Sequence, residues 1–202
     1  SSTSRGLGDV YKRQASISNS DSVHITKYCS ASIETLGMYI EDRHEGVVLK
    51  NTEVDFFHIG AMDWLPNQEA VNWLLKEVWP EFKNQNSNAE LHIAGKSMPT
   101  NLLKQIEPGY FNHNEVLNAL DFIAEHTIML VPLFSGSGLR VKIIEGMALG
   151  KCIISTRLGA EGIPYTDRKN ILIADTKEEF ISTMQFCYNN ICLLYTSDAA
   201  DE

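Results

Sequence analysis

Long apolar runs are missing from this chain. The longest, MLVPLF at 129–134, falls far short of the roughly 20 residues that span a bilayer, so no transmembrane helix is expected. Paired cysteines are missing too: Cys29, Cys152, Cys187 and Cys192 show no C-x-x-C spacing. With 202 residues, 44% of them hydrophobic, the chain has core enough to dispense with a disulfide framework, which suits a reducing, cytoplasmic setting. Basic charge is in deficit. The 17 Lys and Arg against 26 Asp and Glu leave a formal charge of -9 with no long block of either sign, which argues against a nucleic-acid partner and gives no basic membrane patch. No His/Cys/Asp cluster has zinc-ligand spacing, and no G-x-S-x-G elbow occurs, so hydrolase and metalloenzyme readings find no support and no metal is expected. The Walker loop, G-x-x-x-x-G-K followed by Ser or Thr, is absent, as is G-x-G-x-x-G. Solenoid repeats and low-complexity segments are lacking as well.

The ends differ in character from the middle. SSTSRGLGDVYKRQ at 1–14 has no periodicity, and the composition shifts abruptly near residue 191, in CLLYTSDAADE at the end. Both resemble translated adapter read-through at the ends of metagenomic fragments. They are therefore expected to be artefactual tails, 1–14 and 191–202, outside the fold. Residues 15–50 read as a remnant of an upstream region or linker, in which SIETLGMYIED could hold a short strand. Residues 51–190 form the expected domain.

Within that domain strands and helices alternate. FFHIG at 56–60 is a buried-strand candidate ending in Gly. Apolar residues then fall at 70, 71, 74, 75, 78, 79 and 82, the spacing of one helical face, with Asn67 as N-cap and Pro80 weakening the last turns. ELHIAG at 90–95, a weaker strand at 109–113, a helix over 115–126, TIMLVPL at 127–133, and a helix over 139–149 closed by Gly150 come next. CIIST at 152–156, NILIA at 170–174 and a helix over 177–188 complete the series. Continuous apolar strands alternating with helices mean an α/β fold: a Rossmann-like parallel sheet with helices on both faces. Such folds bind ligands beyond the carboxyl ends of their strands, which directs attention to the loops beginning at Gly60, Gly95, Pro132 and Thr156.

The chemistry concentrates in VPLFSGSGLRVKIIEGMALG at 131–150. A Gly/Ser loop leading into a helix brings backbone N-H groups and the positive end of the helix dipole toward an anion. Gly138, Lys142 and Glu145 stand at i, i+4 and i+7, so a helix would align amide donors, a cation and a carboxylate along roughly 10 Å, the extent of a diphosphate joined to a ribose. The plain alternative is a solvated Lys142–Glu145 pair beside an ordinary loop. Two details favour the anion: Lys before Glu is the poorer order for helix stability, and Arg140 and Lys142 near the N-terminus oppose the dipole.

These residues carry a resemblance. FSGSGLRVKIIEGMALGKCIISTRLGAEGI at 134–163, together with FFHIGAMDWLPNQEAVNWLLKEVWP at 56–80, is similar to the donor-binding half of family four glycosyltransferases of the GT-B fold, over about 55–188. The resemblance implies retaining transfer of a sugar from a nucleotide-diphosphate donor, without a metal, by the C-terminal of two Rossmann-like domains. Glu145 matches the carboxylate that holds the ribose. Ser137 stands at the position where many members carry a first Glu, near the transferred sugar. Gly138 and Leu139 match the backbone that meets the diphosphate, with Arg140 or Lys142 as its cation. Gly60 and Ala61 match the first loop, without the basic residue many members have there.

The protein so implied is a glycosyltransferase fragment, hexosyltransferase-like and expected to be inactive alone, with catalytic residues unknown. It would take a UDP- or GDP-linked sugar as substrate and no cofactor. A glycan or lipid-linked acceptor would be held by a missing N-terminal domain, and attachment of that domain to the inner membrane face is left open. The alternatives are a non-catalytic nucleotide-binding α/β module, or a nucleotide-sugar epimerase of the same architecture. Glu161, in LGAEGI after a strand, is read as either a cleft residue or part of a surface turn. Trp64 reads as a packing residue. His58 and His92, inside strands, read as satisfied core histidines.

Overall fold

The computed structural model describes residues 13–16, 23, 32–35, 54–104 and 106–190. The chain divides into two compact units, Ser1–Glu41 and Asp42–Glu202. In the first, strands β1 (Arg13–Ser16) and β2 (Ser32–Thr35) pair in parallel. The strand expected within SIETLGMYIED is thus SIET. Arg13 and Gln14, set aside with the N-terminal tail, open β1. Residues 1–12, the stretch 36–53, which takes in much of the expected linker, and the tail at 191–202 lie outside the described residues.

Among its described residues the second unit holds six parallel strands: β3 (Phe56–Ile59), β4 (Leu91–Ala94), β5 (Tyr110–Asn114), β6 (Ile128–Val131), β7 (Cys152–Ser155) and β8 (Leu172–Ile173). Their spatial order is β5-β4-β3-β6-β7-β8. The chain builds outward from β3 through β4 to β5, returns to place β6 on the other flank of β3, and builds outward again. That reversal is the doubly wound Rossmann order, so the expected fold class holds.

The strands read as apolar runs because both of their faces are covered. Phe56, Leu91, Ile93, Ile128, Leu130 and Ile154 point into one core, and Phe57, Ile59, Ala94, Met129, Val131 and Ile153 into the other. Adjacent residues go to opposite faces, as the period of two requires.

The first core is covered by α1 (Leu65–Trp73), a π-helical turn (Leu74–Val78), α2 (Trp79–Gln85) and α6 (Lys177–Asn189). One helix was expected where α1, the π turn and α2 stand. Pro80 has no N-H to donate, and its ring crowds the carbonyl four residues back, so the turn ahead of it widens and the helix restarts at Trp79. Asn67 is not the N-cap. Trp64 holds that position without a side-chain bond, Pro66 sits in the first turn, and Asn67 is buried inside the helix.

A short helix α3 (Thr100–Leu103), not anticipated, precedes β5. The helix expected from Glu115 starts later, as α4 (Ala119–Glu125), because the Asn118 side chain accepts the Leu120 N-H and sets the boundary there. With α5 (Val141–Ala148), α4 covers the second core. Gly150, at φ +62, comes just after the end of α5 as expected. In α6 a capping box joins Thr176 and Glu179. Thr176→Ala should lower unfolding free energy by about 1 kcal/mol, read as a shifted urea midpoint at unchanged slope.

Candidate functional site

The topological switch lies between β3 and β6, whose neighbours on the other side are β4 and β7. Beyond their carboxyl ends run the Gly60 loop and the loop 132–140. A crevice is built into such a place by connectivity, since the two flanking connections leave in opposite directions. Here it is a cavity of about 310 Å³, with Gly60, Gly95, Lys96, Val116, Lys142 and Glu145 in its wall.

Two glycines let the first two loops meet. A Cβ on Gly95 would lie 1.9 Å from the Gly60 carbonyl oxygen, and one on Gly60 would lie 2.6 Å from Asn67 Nδ2. Asn67 in turn donates to Ala61 O at 2.9 Å and accepts from Lys142 Nζ at 3.0 Å. Lys142 also donates to Ile59 O at 2.9 Å. The lysine therefore joins α5 to the end of β3. Burial of the amine, with Arg140 nearby, brings its pKa from the usual 10.5 down to about 7. Behind it, His58 is wholly buried and donates from Nδ1 to Leu130 O at 2.8 Å, while its Nε2 has no partner among the described residues. The expectation of a satisfied core histidine is half met. Burial and Lys142 push its pKa well below the usual value, so it is neutral. Glu145, one turn along α5, has its pKa raised by burial.

Arg140 caps α5 without a side-chain bond to the helix and is only 6% exposed. Its Nη1 donates to the carbonyls of Ser137, at 2.8 Å, and Gly138. Its guanidinium lies 4.8 Å from the centre of the Trp64 ring, so Trp64 packs, as expected, and also carries a cation. Arg140 Nε and Nη2 are buried with no partner among the described residues. A buried guanidinium with two idle donor nitrogens, at the start of a helix without a side-chain cap, is suited to receive an anion.

The eight residues proposed from the sequence separate into two groups. Gly60, Lys142 and Glu145 line the cavity; Ser137, Gly138, Leu139, Arg140 and Glu161 do not, and lie in the flanking loops. The expected single helical stripe is corrected in one respect. Gly138, at φ +96, precedes the helix, which begins only at Val141, so Lys142 and Glu145 share the stripe without it. Glu161 is exposed, and its charge partly offsets the lowering of the Arg140 pKa by burial. The Gly159 and Ala160 beside it are buried. Thr156 Oγ1 staples this loop to the loop after β6 by donating to Leu133 O at 2.5 Å.

Lys96, paired with Asp63 at 3.8 Å, was missed. It lies just past β4 and reaches the wall only because β4 lies beside β3.

The model of the family described as glycosyl transferases group 1 matches residues 53–190. The chain belongs to that family. Among solved structures, this group 1 glycosyltransferase chain resembles a point mutant of S. aureus TarM in complex with Fondaparinux, alpha-GlcNAc-glycerol and UDP. The TM-score is 0.72 at 15% identity, over 90% of this chain and 38% of that one. It also resembles the pneumococcal O-GlcNAc transferase GtfA in complex with UDP and GlcNAc, with a TM-score of 0.64 at 16% identity, over 95% of this chain and 40% of that one. A trehalose-6-phosphate synthase, solved to examine glycosyl transfer with retention, matches with a TM-score of 0.66 at 9% identity, over 93% and 55%. These likenesses show the fold, that of GT-B glycosyltransferases. The group 1 chain spans between 38% and 55% of the length of these proteins. No curated protein matches its sequence. Among the described residues, no helix is long and apolar enough to cross a membrane.

Proposed function

We propose that this chain is the donor-binding half of a glycosyltransferase that takes a sugar from a nucleotide diphosphate, with retention and without a metal at the reacting centre. One observation carries the reading. At the switch point, the two unpartnered donor nitrogens of Arg140 stand at the start of the same helix whose next turns put Lys142 and Glu145 into the cavity wall. In this reading the diphosphate lies against Arg140 and the first amides of α5, where charge and dipole both favour it. Glu145 accepts hydrogen bonds from the ribose hydroxyls, and Lys142 faces the charge that grows on the leaving diphosphate as the sugar departs. Lys96 adds a second cation from the β4 side.

Neutralising that growing charge with fixed cations is what a transferase without a metal needs. Retention, supported by the resemblance to the trehalose-6-phosphate synthase, and the acceptor both depend on groups outside this cavity. A glycan or lipid-linked acceptor bound by a preceding domain is the corresponding proposal. UDP is the first nucleotide to test, because both TarM and GtfA are in complex with it.

Calorimetry of the full chain against UDP, GDP and their sugars tests the reading. Glu145→Gln keeps the size of the side chain and removes the charge; affinity should fall about tenfold to a hundredfold, the worth of hydrogen bonds to an ionised acceptor. Equal affinity in Glu145→Gln and the unaltered protein would remove the ribose assignment. No binding of either nucleotide, by the chain or by the same domain joined to an upstream one, would remove the donor site.

A further inference from the structure

His92, expected to be a satisfied core histidine, is instead one of three that converge. His92 in β4, His113 in β5 and His126 at the end of α4 each offer one ring nitrogen, all within 4.8 Å of one another. None of them lines the donor cavity. His92 Nδ1 and His113 Nε2 face each other at 2.9 Å. The other nitrogen of His92 is 3.4 Å from Glu90 Oε2 and 3.9 Å from Asp55 Oδ2. His126 Nδ1 is bonded to Asp55 Oδ2 at 2.5 Å, and the second oxygen of Asp55 accepts the Thr127 N-H at 2.7 Å. Two of the three imidazoles thus have a carboxylate against one nitrogen, which fixes the ring and makes the other nitrogen a better ligand.

Hydrogen bonding alone accounts for less of this arrangement. His92 and His113 can share one proton, but that does not explain a third imidazole at 4.4 Å between ring centres from His92, held there by a buried carboxylate. Tetrahedral zinc with bonds of about 2.0–2.1 Å places its ligand nitrogens about 3.3 Å apart, within a few tenths of the His92–His113 separation.

We propose that His92, His113 and His126 bind a divalent transition metal, zinc fitting best, with Asp55 and Glu90 orienting the rings and a water completing the tetrahedron. Three imidazoles suit zinc, cobalt and nickel and do not suit magnesium or calcium. The burial gradient gives the ion access: His126 is buried, His92 half-buried and His113 exposed. The ion would clamp β5, the outer strand of the sheet, to β4 and to the end of α4. Its role is structural, and it does not rest on the donor-site reading.

The test uses the full chain without an affinity tag, stripped with a chelator and dialysed against zinc chloride, with cobalt chloride as the spectroscopic probe. The expected result is one equivalent of zinc bound saturably, a rise of several degrees in the thermal midpoint with zinc, and the strong visible bands of tetrahedral cobalt. His113→Ala, at an exposed position that folding tolerates, should lose about tenfold or more in zinc affinity together with the cobalt bands. His126→Gln should do the same. Nucleotide binding by His113→Ala should be unchanged. Absence of saturable zinc binding, or equal zinc affinity in His113→Ala and the unaltered chain, would overturn the proposal.

Discussion

Gly95→Ala should destabilise the domain by about 3 kcal/mol or more, the upper part of the range for forcing an extra methyl into a packed site. The added Cβ would lie 1.9 Å from the Gly60 carbonyl oxygen, which is backbone and cannot rotate away. Nor can either loop shift freely. Gly60 N donates to Ala94 O at 3.0 Å, Gly95 N to Asn114 O at 2.7 Å, and Met62 N to Lys96 O at 2.9 Å, so relief of the clash breaks the hydrogen bonds that carry three strands into their loops. Because both glycines line the cavity, nucleotide affinity should fall along with stability. Two comparisons isolate the cause. Gly150→Ala meets open space and bears only the cost of a left-handed φ, about 1–2 kcal/mol. Gly60→Ala presses on the Asn67 side chain, which can turn aside, so its main effect should be on Lys142 and nucleotide binding. A urea midpoint for Gly95→Ala no lower than that of Gly150→Ala would show that the two loops are not packed as described.

The sequence made the sheet legible because burial on both faces leaves little choice of residue. FFHI, LHIA, IMLV and CIIS each stand out as short apolar runs, and each is a strand. Helix boundaries were harder to read. Periodicity runs through Pro80 without a break, whereas the backbone cannot, and the start of α4 depends on one Asn side chain. In the site, the positions of Lys142 and Glu145 on one face of α5 come from local spacing and were legible. The partners of Lys142 were not. Asn67 looked like an N-cap because its short-range surroundings are those of one. Its actual role is a bond to a lysine 75 residues away. Lys96 and the histidine cluster escaped for the same reason. Strand order brings them together, and ligand-spacing motifs register only neighbours in sequence.

Nucleotide affinity should fall as pH rises above about 7, while the stability of the free protein rises over the same range. Both effects originate in Lys142. In the folded, free protein its pKa is about 7, against the usual 10.5. Between those values the unfolded chain holds a proton that the folded chain lacks, so folding becomes more favourable with each step up in pH; below 7 the full cost of the buried charge is present. A bound diphosphate has the opposite preference. It favours the charged amine, raises its pKa and draws a proton into the complex, so above pH 7 affinity should drop by up to about tenfold per pH unit. Calorimetry with UDP from pH 6 to 9, in buffers of differing ionisation heat, measures both the affinity and the proton taken up. Lys142→Met keeps most of the length of the chain without the charge. It should bind about tenfold or more weakly at pH 6, the loss expected for a hydrogen-bonded charge, and its affinity should no longer vary with pH across this range. Affinity that is flat from pH 6 to 9 in the unaltered protein and equal in Lys142→Met would mean that the lysine only ties α5 to β3 and takes no part in holding the donor.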